Sequence, residues 1–214
     1  MHYTHFEMKA RYFLSGNTTS PTKIWIVLHG YRQQARYFID KFESLVDEDT
    51  LIIAPEGLHR FYIKGLQGKV GASWMTKEDR ETDIINYLKY LNSILNSFSF
   101  YRQQNNNLEI GLIGFSQGAA TASRWLNEGN VKFDKFVMWS SVFPPDLDFK
   151  LVKEQLTNCK TYFVYGNKDP FLSPEKVTDI KTILNALELN LEYITFDGGH
   201  DINEKVLDTI SFIR

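Results

Sequence analysis

The 214-residue chain carries 24 lysines and arginines against 26 aspartates and glutamates, a net charge of −2, so it has no basic field with which to attract nucleic acid or an anionic membrane surface. With 43% apolar residues it is long enough for one well-buried core, and residues 1–214 read as a single domain. Its one cysteine, Cys159, rules out an intrachain disulfide; that economy, an opening stretch broken by charges and the lack of any apolar run of roughly 20 residues point to a soluble, cytoplasmic protein without a membrane span.

From the N-terminus, Tyr3 to Leu14 alternates and is expected to form an edge strand or hairpin leading into a sheet. KIWIVLHG, Lys23 to Gly30, is almost continuously apolar, as a strand buried on both faces of a parallel sheet must be. Gln34 to Val46 shows helical spacing, and TLIIAPEG, Thr50 to Gly57, is a second buried strand. Glu56 to Thr76 reads as one long irregular stretch; loops of that length in a compact domain are usually functional or mobile. Helical periodicity returns over Glu78 to Phe98, Gln117 to Gly129, Ser173 to Leu189 and Asp201 to Arg214. Strand-like runs fall between, at Leu108 to Ser116, Lys135 to Ser141, Thr161 to Asp169 and Leu191 to Gly199. Ser173 and Pro174 make a good N-cap and first-turn pair. Such alternation implies crossovers and a mostly parallel sheet with helices on both faces.

In a sheet of this kind ligands gather beyond the carboxyl ends of the strands. One end carries GFSQG, Gly114 to Gly118, where an apolar run stops at Ser116 and a small-residue helix begins. A serine turned sharply out of the sheet needs glycines beside it, because side chains there collide with strand and helix. The pattern alone is common, and it gains meaning only if the chain also supplies a base and an orienting acid.

Of the five histidines, His2 and His5 lie in the N-terminal segment, His59 in the long loop and His29 in the turn LHGY. His200, in FDGGHDI, follows the last strand and opens on the same rim as Ser116, which makes it the candidate base. Asp169 in YGNKDPF closes the penultimate strand and is the candidate acid; Asp146, Asp148 and Asp197 are rivals less directly placed. Two backbone donors are required for the developing oxyanion: Gln117 N–H, next to the serine, and Tyr31 N–H in the turn after the first central strand. His29 is expected to serve that turn structurally. Cysteine and histidine spacing offers no zinc site.

With those pieces in place, VLHGY, APEG, GFSQGAA, WSS, YGNKDP and GGHDI, spanning Val27 to Ile202, resemble the phospholipase/carboxylesterase family of α/β-hydrolases, which includes bacterial carboxylesterases and acyl-protein thioesterases. The resemblance implies a serine esterase acting on small esters or thioesters through an acyl-enzyme, with Ser116, Asp169 and His200 as triad and Tyr31 and Gln117 as oxyanion donors. It implies no cofactor and no metal, a small-molecule substrate as partner, and a monomer or homodimer. The chain departs from the family in reading Tyr31-Arg32-Gln33 after the HG pair. The interval from Ser141 to Thr161 leaves no room for a large lid.

Substrate shape is then assigned to Phe61, Tyr62, Trp74 and Met75 in the long loop, with Phe143 and Phe171 at other strand ends. Arg32 and Arg60 could meet an acidic group on a substrate, although solvated surface charge is the commoner role of such residues. A serine peptidase or acyltransferase on the same scaffold shares the chemistry, and a non-catalytic ligand-binding relative is the reading from a different class.

Overall fold

The computed structural model describes residues 1–129 and 132–211. In chain order the strands are β1 (Tyr12–Gly16), β2 (Lys23–Leu28), β3 (Thr50–Pro55), β4 (His59–Tyr62), β5 (Val70–Ser73), β6 (Glu109–Phe115), β7 (Lys135–Trp139), β8 (Lys160–Gly166) and β9 (Leu191–Phe196). The helices are α1 (Ala35–Phe38), continued by a 3-10 segment (Ile39–Leu45), α2 (Arg80–Ser97), α3 (Ser99–Gln104), α4 (Gln117–Asn127), α5 (Phe149–Leu156), α6 (Pro174–Ala186) and α7 (Glu204–Ile210). Seven strands form the main sheet in the order β1-β3-β2-β6-β7-β8-β9, parallel except for β1, and β4 and β5 pair separately. This is the mostly parallel, helix-covered sheet of an α/β-hydrolase, as the strand-helix alternation implies.

The central strands are apolar on both faces because both faces are covered. Along β2, Ile24, Ile26 and Leu28 pack into one cluster with Tyr87, Leu91 and Trp125 of α2 and α4. Trp25 and Val27 point the other way, into a cluster with Phe38, Phe42, Leu207 and Ile210. The strand period of two thus divides one hydrophobic run between two cores, and each fully buried large side chain contributes roughly 1.5–3 kcal/mol.

The structure corrects several element readings. Of Tyr3 to Leu14 only the end joins a strand, β1, an antiparallel edge strand on β3. The stretch from Glu56 to Thr76 is no irregular loop: it holds the β4–β5 hairpin, whose strands are too short and too polar to stand out in sequence. The predicted helix from Gln34 to Val46 is one α-turn followed by 3-10 geometry with a kink at Phe42. Helix α5 lies outside the elements expected from sequence; Asp148 Oδ1 caps it by accepting from Lys150 N and Leu151 N at 2.9 and 3.4 Å, and Val152 and Leu156 bury beneath it. The last three residues of the predicted C-terminal helix, 212–214, lie outside the described residues.

Candidate active site

Ser116 sits between β6 and α4 with φ 53° and ψ −119°, a backbone state costing on the order of 1–3 kcal/mol that persists only where its surroundings impose it. They do so closely. A Cβ on Gly114 would lie 2.4 Å from Ala119 Cα, and one on Gly118 would lie 2.1 Å from the Leu28 carbonyl oxygen. Ser116 N–H donates to Trp139 O at 2.9 Å, tying the elbow to the end of β7. The two glycines are therefore sites of backbone contact, which lets α4 start directly above the sheet.

Asp169 and His200 meet. His200 Nδ1 lies 2.7 Å from Asp169 Oδ2, and the second carboxylate oxygen accepts from Phe171 N at 2.9 Å. The carboxylate is wholly buried and the imidazole about one-fifth exposed. Nδ1 is the ring nitrogen placed to donate to the carboxylate, and Nε2 is the one turned away from it. The ring packs between Phe115, at 4.8 Å, and the edge of Phe171, at 4.7 Å. Phe115 immediately precedes Ser116, so the His200 ring stands beside the elbow. Trp139 Nε1 donates to Asp201 O at 3.1 Å, holding the histidine loop over the same strand end; nothing in the spacing of the sequence pointed to that anchor.

On the other side of the elbow lies the turn after β2. Gly30 N donates to Gln33 Oε1 at 2.7 Å, Arg32 N to Ala72 O at 2.9 Å and Ala72 N to Gln33 O at 2.9 Å. Tyr31 N–H is left between these bonds without an acceptor among the described residues. Gln117 N–H, at the first position of α4, has no intrahelical acceptor either. Gln117 adds a contact unread from sequence: its side-chain amide donates to Ser73 Oγ and Met75 O, both at 3.0 Å, and accepts from Trp74 N at 3.2 Å. The hairpin exit is thereby fastened to the residue beside the serine.

His29 has the structural part expected of it. Its Nδ1 bonds Gly30 O at 2.7 Å, its Nε2 accepts from Gly57 N at 2.9 Å, and burial lowers its pKa to about 4, so it stays neutral. Nearby, buried Glu56 pairs with Arg11 at 2.6 Å and accepts from Ala35 N at 3.2 Å. The rival acids are engaged elsewhere. Asp146 binds Arg124 and Arg80, Asp148 caps α5, and exposed Asp197 pairs with Lys168 at 2.7 Å. His59 pairs with Asp83 at 2.9 Å, and His2 and His5 are exposed.

The predicted substrate residues divide. Phe171 is exposed against His200, Phe61 stacks on Tyr31 at 5.4 Å, and Tyr62 is exposed on the hairpin. Met75 is half-buried, its carbonyl held by Gln117. Trp74 is 0% exposed and Phe143 is 8% exposed. Both belong to the core rather than to a substrate wall, because Trp74 packs on Tyr87 and Phe143 on Phe149. Among the described residues no group of three or more His, Cys, Asp or Glu side chains is arranged to hold a metal, and no helix is long and apolar enough to cross a membrane.

Sheet order, strained serine elbow and facing His–Asp pair together describe an α/β-hydrolase. The chain belongs to the serine hydrolase family FSH1, whose profile, described as serine hydrolase (FSH1), matches residues 18–205. Among solved structures it is similar to a carboxylesterase from Mesorhizobium loti (TM-score 0.72, 15% identity, covering 94% of this chain and 92% of that one). It is also similar to acyl-protein thioesterase 2 from Zea mays (TM-score 0.71, 15% identity, 94% and 96%). A third is a phospholipase/carboxylesterase from Dyadobacter fermentans (TM-score 0.66, 18% identity, 96% and 96%). No curated protein sequence matches the chain significantly. At these identities the likeness is one of fold, and it agrees with the resemblance carried by the six motifs.

Proposed function

We propose that this serine hydrolase is an esterase or thioesterase for small carboxylic substrates. Ser116 attacks the acyl carbonyl while His200 Nε2 takes its proton. Asp169 holds the imidazole in the required tautomer and stabilises it once charged. Tyr31 N–H and Gln117 N–H receive the oxyanion. The alcohol or thiol departs with the proton from His200, and water, deprotonated by the same ring, releases the acid.

The observation that carries this reading is the 2.7 Å bond from His200 Nδ1 to a wholly buried carboxylate, with the ring packed against the residue before the serine. Esterases and thioesterases among the structural neighbours lend it the substrate class. Replacing Ser116 by alanine is expected to lower p-nitrophenyl butyrate hydrolysis at least about 10⁴-fold and to abolish labelling by a fluorophosphonate probe. Retained turnover in the folded variant refutes the assignment. An unlabelled wild-type serine favours the ligand-binding alternative, and faster cleavage of peptide amides than of esters favours a peptidase.

A further inference from the structure

A cavity of about 560 Å³ lies between the turn after β2, the α1 region and the hairpin, a size that accepts a small ligand. Three cations from three separate elements face it: Arg32 from the turn, Lys41 from the 3-10 segment and Lys69 from the hairpin. Phe38, Ile63 and Val70 supply apolar wall. Lys41 is matched by Asp201 at 2.8 Å. Among the described residues no carboxylate lines the cavity, and neither Arg32 nor Lys69 has an acidic partner. Arg36 and Arg102 likewise have no acidic partner among the described residues, whereas Arg11 pairs with Glu56, and Arg80 and Arg124 with Asp146.

Two residues of the cavity region neighbour the candidate site along the chain. Arg32 directly follows Tyr31, and Asp201, the partner of Lys41, directly follows His200. Arg32 holds a left-handed backbone conformation, φ 68°, where glycine or asparagine is at ease and a long side chain is not; its N–H is fixed to Ala72 O. The turn thus accepts strain while carrying a guanidinium into the cavity wall, a group whose planar fork matches carboxylate and phosphate oxygens.

Resting on the esterase reading above, we infer that this cavity is a subsite for an oxyanion carried by the substrate, so that the preferred esters or thioesters bear a carboxylate or phosphate a short chain away from the cleaved bond. Arg32 and Lys69 bind that group, and the apolar wall takes the intervening methylenes. The two unmatched charges also raise the capture rate of such substrates, an effect that salt screens.

The test compares kcat/KM for monomethyl glutarate with its neutral counterpart methyl valerate, and for 2-acetoxyethyl phosphate with 2-acetoxyethanol. Wild-type enzyme is expected to favour the anionic member of at least one pair, the pair identifying carboxylate or phosphate as the group read. The Arg32→Gln/Lys69→Gln double variant is expected to lower that anionic-to-neutral ratio about tenfold or more. Lys69→Gln alone, which leaves the turn untouched, is expected to lower it in part. An unchanged ratio in variants that melt like wild type overturns the subsite. So does wild-type indifference to charge coupled with binding to phosphatidylglycerol vesicles, which would make the cations a lipid-docking surface. Ser116→Ala run in parallel separates the readings: its failure to abolish turnover refutes the esterase assignment itself.

Discussion

The indole of Trp74 donates to the carbonyl of His29 at 2.8 Å while lying fully buried. His29 stands two residues before Tyr31, so this bond ties the hairpin exit to the turn that holds the proposed oxyanion donor. Trp74→Phe keeps most of the ring and removes the donor. The expected result is a loss of about 1 kcal/mol in stability and a kcat reduced on the order of 10-fold, with KM for p-nitrophenyl butyrate little changed. A rise in KM at constant kcat would assign Trp74 to substrate binding instead.

Asp169→Asn is expected to preserve shape and lower kcat about 10³-fold or more, because an amide at that position no longer favours the Nδ1–H tautomer of His200. Circular dichroism and melting close to wild type, alongside the collapsed rate, are the required pair of readings.

Acid stability has two separable parts. The folded-state pKa of His29 is lowered from 6.5 to about 4 by burial, so the unfolded chain binds the extra proton between those values. The stabilisation is complete above pH 6.5 and is lost as pH falls toward 4, by at most roughly 3 kcal/mol. Asp146 is held at about 2 by its hydrogen bonds to Arg124, and its share is present above about 4 and lost as pH falls toward 2. Urea midpoints for wild type and Asp146→Asn across this range are expected to decline in parallel above pH 4 and to converge below it.

Asp146→Ala at neutral pH strands Arg124, whose side chain is only 6% exposed. A loss of about 2–3 kcal/mol is expected in urea unfolding, with esterase activity per folded molecule maintained.

Gly118→Ala places a methyl 2.1 Å from the Leu28 carbonyl oxygen. Lifting α4 off β2 is expected to cost about 3 kcal/mol and to lower Tm by roughly 6–12 °C. An unaltered melting curve would show that the helix start is freer than its packing implies.

The central strands were legible because burial on both faces demands continuous apolar runs, and β2, β3 and β6 comply. Ser116, Asp169 and His200 stood out because strand ends concentrate chemistry and each follows a strong strand. The hairpin was invisible because HRFY and VGAS are short and carry mixed polarity; their pairing is set by tertiary anchors. Trp74 and Phe143 were misjudged for a related reason: an aromatic in a surface excursion carries no local mark of which way it faces. Arg32 and Lys69, which line the same cavity, are 37 apart in the chain, and no periodic signal couples them.

Asp83 Oδ1 meets His59, and its other oxygen accepts from Thr76 N at 2.9 Å. One carboxylate on α2 thus closes both feet of the excursion that forms the hairpin. Lengthening or recolouring the tip near Gly65 leaves those feet, and the strands beneath, where they are. Phe61 and Lys69, to which the proposed selectivity is assigned, lie in that excursion, so a change of preference there need not disturb the strand ends that carry Ser116, Asp169 and His200.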